Sequence, residues 1–167
     1  YMPFTIDITT EDPGAGFLGA HAVIDGSEAY SYGWAYKNTW PNTNNNIAYT
    51  GIWGNDWIYI AQAASHEVGH TLNLFDHGQT DGTGYYLGHG EGWTQWGVIM
   101  GWDSDSIGIW DDGNYPIPNH PEDSLNIIET RQGVDYRPDD HGNSIGTATA
   151  VDINAADLIA EGIIEQN

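Results

Sequence analysis

The stretch Ser65-His66-Glu67-Val68-Gly69-His70-Thr71-Leu72-Asn73-Leu74-Phe75-Asp76-His77 decides how the rest of the chain is read. Its first half carries the pattern His-Glu-x-x-His. Residues four apart on a helix stand one turn above each other on the same face. His66 and His70 can therefore aim two imidazoles at one point, as a shared metal ion requires. Glu67 projects beside them, placed to take a proton from a water held by the metal. Zinc suits two nitrogens and a third protein ligand, with the fourth position left to water. Two histidines on a helix are more often surface or core residues than ligands, so the flanking sequence has to decide.

That context is favourable. Residues 55–64, Asn-Asp-Trp-Ile-Tyr-Ile-Ala-Gln-Ala-Ala, read as a helix start with Asn55 or Asp56 as the N-cap. The alanines, Val68 and Leu72 continue a buried stripe to about Asn73. Asparagine tolerates positive φ at a helix terminus better than any residue except glycine, so the chain can reverse there.

Further along stand Gly84-Tyr85-Tyr86-Leu87-Gly88-His89-Gly90, Trp96-Gly97-Val98-Ile99-Met100-Gly101, Glu122-Asp123-Ser124-Leu125 and Asp139-Asp140-His141-Gly142-Asn143. With residues 66–72, these segments resemble the metzincin zinc metallopeptidases, in particular the adamalysin-like (reprolysin-like) catalytic domains of large secreted bacterial proteins. The similarity runs from Tyr1 to Asn143 and is densest around the histidines. Metzincins extend the motif to His-Glu-x-x-His-x-x-Gly-x-x-His, where the glycine ends the helix and the last histidine swings back. Here those positions are Asn73 and Asp76. Small metzincins of the snapalysin type use aspartate as third ligand. The resemblance thus implies His66, His70 and Asp76 as metal ligands around Zn2+, with Glu67 as catalytic base. The family's usual His-Asp pair stands inverted as Asp76-His77, which makes His77 the rival ligand and leaves open a plain turn role for Asp76. Residues 96–101 resemble the Met-turn, with Met100 as an apolar floor beneath the ligands. Trp102 stands where some members carry a tyrosine, and no tyrosine is assigned a role. His89 is left outside the ligand set, because two helix ligands and Asp76 suffice.

The resemblance implies an α+β fold: a metzincin-like mixed twisted sheet, the active-site helix, the Met-turn, a C-terminal helix and a short β-type tail. Residues 4–8 alternate as a half-buried strand, and residues 19–25 and 47–53 are further strand candidates. Residues 26–46 read as loop or short irregular strands. In the family an edge strand pairs with extended substrate, and residues 47–53 are the candidate for it. Pro121 at the first helical position, with Glu122 and Asp123 in the first turn, predicts a helix ending near Gln132-Gly133. Two domains are expected: 1–137 as a catalytic domain lacking its N-terminal part, and 138–167 as a linker and the start of an incomplete β-sandwich module.

Twenty-four acids face three bases, for a formal charge of −21. That field repels nucleic acid and anionic membranes, so neither is an expected partner. Eight tryptophans and ten tyrosines argue against the disorder that acidity often brings. The excess fits a solvated, salt-tolerant surface on which some carboxylates could take calcium (Ca2+). The loops at 103–106 and 111–114 lack the twelve-residue calcium pattern and read as solvated. There is no cysteine, which excludes disulfides and thiolate ligands. The reading is a secreted zinc-dependent endopeptidase acting on protein or peptide substrates. Its alternative is a catalytically degraded metal-binding or interaction module of a secreted multidomain protein.

Overall fold

The computed structural model describes residues 9–11, 19–25, 33–41, 47–51, 56–102, 107–138, 140–142 and 144–151. The strand expected at residues 4–8 lies outside them. The chain divides into two compact units, Pro13–Gln132 and a smaller one formed by Tyr1–Asp12 with Gly133–Asn167. The description below concerns the larger unit unless stated otherwise.

Among its described residues the larger unit is α+β, with two α-helices and short sheets. Its first sheet joins β1 (His21–Asp25), β2 (Trp34–Ala35) and β3 (Ile47–Gly51) in the order β1-β3-β2. β1 runs parallel to β3, with His21 opposite Ile47 and Asp25 opposite Gly51. β2 runs antiparallel to β3, with Trp34 opposite Tyr49. The sheet is therefore mixed, as expected. The placing of β3 corrects the assignment of residues 47–53 as the edge strand. Ala48, Tyr49, Thr50 and Gly51 are buried, and both sides of the strand already have partners. The outer antiparallel strand among the described residues is β2, whose two-residue length carries no readable alternation.

The helix α1 (Trp57–Thr71) packs on β3. Asp56 is its N-cap, and its side chain accepts from Tyr59 N. The far end closes as a Schellman motif. Asn73 sits at φ 72°. Its N–H donates to His70 O, and Leu74 N–H donates to Gly69 O. Residues 38–40 add to this closure: Asn38 N also donates to His70 O, and Thr39 N and Trp40 N donate to the orphan Thr71 O, each at 3.0 Å. The segment after β2 thus fixes the helix end from which the chain returns toward Asp76.

A second sheet pairs β4 (Trp96–Val98) with β5 (Ile107–Ile109) in parallel. β4 runs into a tight turn closed by Gly101 N donating to Val98 O at 2.8 Å. Met100 is fully buried on that turn. It presses on α1 at Gly69, where an added Cβ would come 2.3 Å from its Sδ. Only glycine admits this approach between the two histidines.

The helix α2 (Ser124–Gln132) starts three residues later than the proline rule suggested. Asp123 is the capping residue, accepting from Asn126 N at 2.9 Å, and Glu122 is drawn away to Phe75 N and His77. The stop is as expected, with Gly133 at φ 65°. In the smaller unit, residues 144–148 form a turn, with Thr147 N and Ala148 N donating to Ser144 O. Thr147 Oγ1 also binds Ser144, favouring the turn over an extended pairing. Residues 152–167 lie outside the described residues.

Candidate metal centre

His66 and His70 stand one turn apart on α1, with rings 4.8 Å between centroids and close to perpendicular. Each ring is fixed from behind. His66 Nδ1 lies 2.9 Å from Ile99 O on the Met100 turn. His70 Nδ1 lies 2.9 Å from Leu74 O, just past the Schellman reversal. A carbonyl oxygen only accepts, so Nδ1 carries the hydrogen in both rings and a neutral ring turns a lone pair outward at Nε2.

The reversal at Asn73 brings Asp76 back in front of those two nitrogens. Its Oδ1 is 3.0 Å from His66 Nε2 and 3.4 Å from His70 Nε2. Two lone pairs converging on a carboxylate oxygen repel unless a cation stands between them. That cation is either a proton on each ring or one shared metal ion. Burial raises the Asp76 pKa, but hydrogen bonds from both histidines outweigh it and hold the carboxyl well below its usual range. Burial favours neutral His70, yet Asp76 and Leu74 O raise its pKa on balance. The three donor atoms lie within 4.8 Å of one another, so His66, His70 and Asp76 form a group that could hold a metal ion. The Asp76 side chain is 47% exposed, which leaves the group open to solvent on one side.

Glu67 is buried beside them at 6% exposure. Its Oε2 has no hydrogen-bond partner among the described residues. Buried carboxylate oxygens rarely stay unpaired without a reason in the chemistry. Burial pushes its pKa up, and Asp76 adds to this, while His66 and His70 pull it down; the net direction is upward. The carboxylate lies against Gly33, just before β2. A Cβ there would come 2.1 Å from Glu67 Oε1 and 2.6 Å from its Cδ. Nothing local in the sequence signals this contact, since the two residues are 34 positions apart.

His77, the rival ligand, turns the other way and is fully buried. Its Nε2 lies 3.1 Å from Glu122 Oε1, and its Nδ1 lies 2.8 Å from Asp111 Oδ1 in an ionic contact not aligned as a hydrogen bond. The same Glu122 oxygen accepts from Phe75 N at 2.7 Å. His77 N donates to Met100 O at 2.7 Å. Asp76 therefore sits on a loop pinned on both sides. Asp111 corrects the reading of residues 111–114 as wholly solvated. It is buried, with its oxygens taken up by His77, Ser124 Oγ and Gly113 N rather than offered to calcium. Residues 103–106 lie outside the described residues.

A scan against protein-family models finds no match to this chain, and a search of curated proteins finds none.

The remaining candidates fall where their surroundings put them. His89 is exposed, pairs through its backbone with Trp96, and takes the Tyr86 hydroxyl at Nδ1. It is not part of the metal-capable group. Phe75, next to Asp76, stacks on His120 and lies under the Lys37 ammonium, 3.2 Å from its ring centroid.

Proposed function

We propose that the chain is a zinc-dependent endopeptidase of metzincin type, hydrolysing peptide bonds in protein or peptide substrates outside the cell. One observation carries this reading. Two imidazole Nε2 atoms and one carboxylate oxygen converge beside a buried glutamate whose Oε2 has no hydrogen-bond partner among the described residues. Bonds of about 2.0–2.2 Å to a tetrahedral zinc set its ligands roughly 3.3–3.6 Å apart. The 3.0 and 3.4 Å separations from Asp76 Oδ1 are close to that spacing. The donor set of two nitrogens and one oxygen suits zinc with a position left over for water.

Zinc bound there would polarise the scissile carbonyl and acidify the attacking water. The protein's own groups do the rest. His66 and His70 are held in one tautomer by Ile99 O and Leu74 O. Glu67, with a raised pKa, accepts the water's proton and returns it to the leaving amine. An extended substrate can pair with β2, whose outer side has no partner strand among the described residues. No helix of the described residues is long and apolar enough to cross a membrane.

Glu67→Gln should lower casein cleavage by about 10²–10⁴-fold, the range for losing a general base, while zinc stays bound. Undiminished cleavage would remove Glu67 from the reaction. Gly33→Ala should act more gently by the same route. The added methyl displaces the Glu67 carboxylate, and a misplacement near 1 Å costs about 10²-fold in kcat. Zinc content should match the wild type, and unchanged kcat would show that the carboxylate has room to move. An inert metal-holding module is the competing reading. Structural zinc normally takes four protein ligands, and three donors converge here among the described residues. The asparagine at position 73 is absorbed by the Schellman geometry and so does not mark a decayed site.

A further inference from the structure

We propose that Tyr85 is a catalytic residue of this reaction, its phenolic O–H donating a hydrogen bond to the scissile carbonyl oxygen as water adds to the carbonyl carbon. The inference rests on the peptidase reading above. Addition of water bonds its oxygen to the carbonyl carbon and moves the C=O π pair onto the oxygen. The negative charge grows next to Glu67 and Asp76, both acidic. A fixed neutral donor aimed at that oxygen is worth most in such a place.

The backbone next to Tyr85 is held from two sides. Its neighbour Tyr86 is buried. Tyr86 N donates to His77 O at 2.7 Å, and Tyr86 O accepts from Trp102 N at 2.8 Å. The third-ligand loop and the end of the Met100 turn therefore both hold the backbone beside Tyr85. The Tyr85 ring lies 6.0 Å from the His66 ring, tilted by 60°, and 6.2 Å from the Trp102 ring. At 41% exposure it faces the solvent from which substrate arrives. Its hydroxyl makes no hydrogen bond among the described residues. A phenol ordinarily titrates at about 10, so it is a donor at neutral pH. Lys37, the basic residue nearest in sequence to β2, lies over the Phe75 ring. In the step itself Tyr85 keeps its proton. Glu67 takes the proton from water and delivers it to the nitrogen as the C–N bond breaks.

Tyr85→Phe keeps the ring and removes only the hydroxyl. In the zinc-loaded protein, kcat on casein peptides should fall by about 10²-fold, the low end for losing one oxyanion donor, with KM unchanged. Affinity for a phosphinic pseudopeptide, which mimics the tetrahedral carbon, should fall to a similar degree by calorimetry. Zinc affinity and binding of a cleaved product peptide should not move. Wild-type kcat and phosphinic affinity in the variant would overturn the role of Tyr85 alone. Weakened zinc binding would make Tyr85 a support for His66 and overturn it equally. A wild-type protein that neither cleaves casein nor binds the phosphinic peptide would instead sink the peptidase reading, and this inference with it.

Discussion

Asp76→Ala should weaken zinc binding by about 100-fold or more, beyond the ~10–100-fold typical of removing an outer partner of a ligand. The fold should survive. The Asp76 side chain is 47% exposed, and its oxygen contacts His66 and His70. The helix end does not depend on it, because Asn73, Leu74 and residues 38–40 close it through backbone hydrogen bonds. Removing the carboxylate leaves two imidazoles, which hold zinc poorly as a pair. Titration against a chelating dye, with circular dichroism of the metal-free variant, separates the two effects. Unaltered zinc affinity would mean that Asp76 is a turn residue and that the third ligand lies elsewhere.

His77→Ala should do the opposite, damaging the fold first. Breaking a buried ion pair by removing one partner costs about 3–5 kcal/mol, because the remaining charge is buried alone. Here Asp111, 5% exposed, and Glu122, 16% exposed, would both lose the ring between them. In a domain of this size that corresponds to a fall in Tm of roughly 6–20 °C. The pH dependence has a definite sign. Burial favours the neutral ring, but Asp111 and Glu122 outweigh it and raise the His77 pKa from 6.5 to about 9. A raised pKa stabilises the fold fully below 6.5, and the contribution fades as pH rises through about 9. Melting curves of the wild type should fall across that window, and those of His77→Gln should fall less. A His77→Ala protein melting with the wild type would show that the two carboxylates need no counter-charge.

Local signals were legible in the sequence, and long-range ones were not. The helix carrying His66, Glu67 and His70 was readable because its cap, its alanines and its apolar stripe lie within a few turns. Asn73 was readable for the same reason, since a left-handed residue at a helix end is a one-residue decision. β3 looked like an edge strand because neither partner is contiguous with it: β2 ends 12 residues and β1 ends 22 residues before β3 starts. The start of α2 moved because Glu122 is claimed by Phe75 and His77, 47 and 45 residues away. Asp111 looked solvated for a like reason, its buried partner being His77. Gly33 carries no local signature at all, because what matters there is the Cβ it lacks.

Anomalous diffraction at the zinc edge, from crystals of the zinc-loaded protein, tests the central claim most directly. One ion should lie bonded to His66 Nε2, His70 Nε2 and an Asp76 carboxylate oxygen, at about 2.0–2.2 Å, with water in the remaining position and Glu67 beside it. A zinc ion held by His77 or His89, or one closed off by four protein ligands, would contradict it.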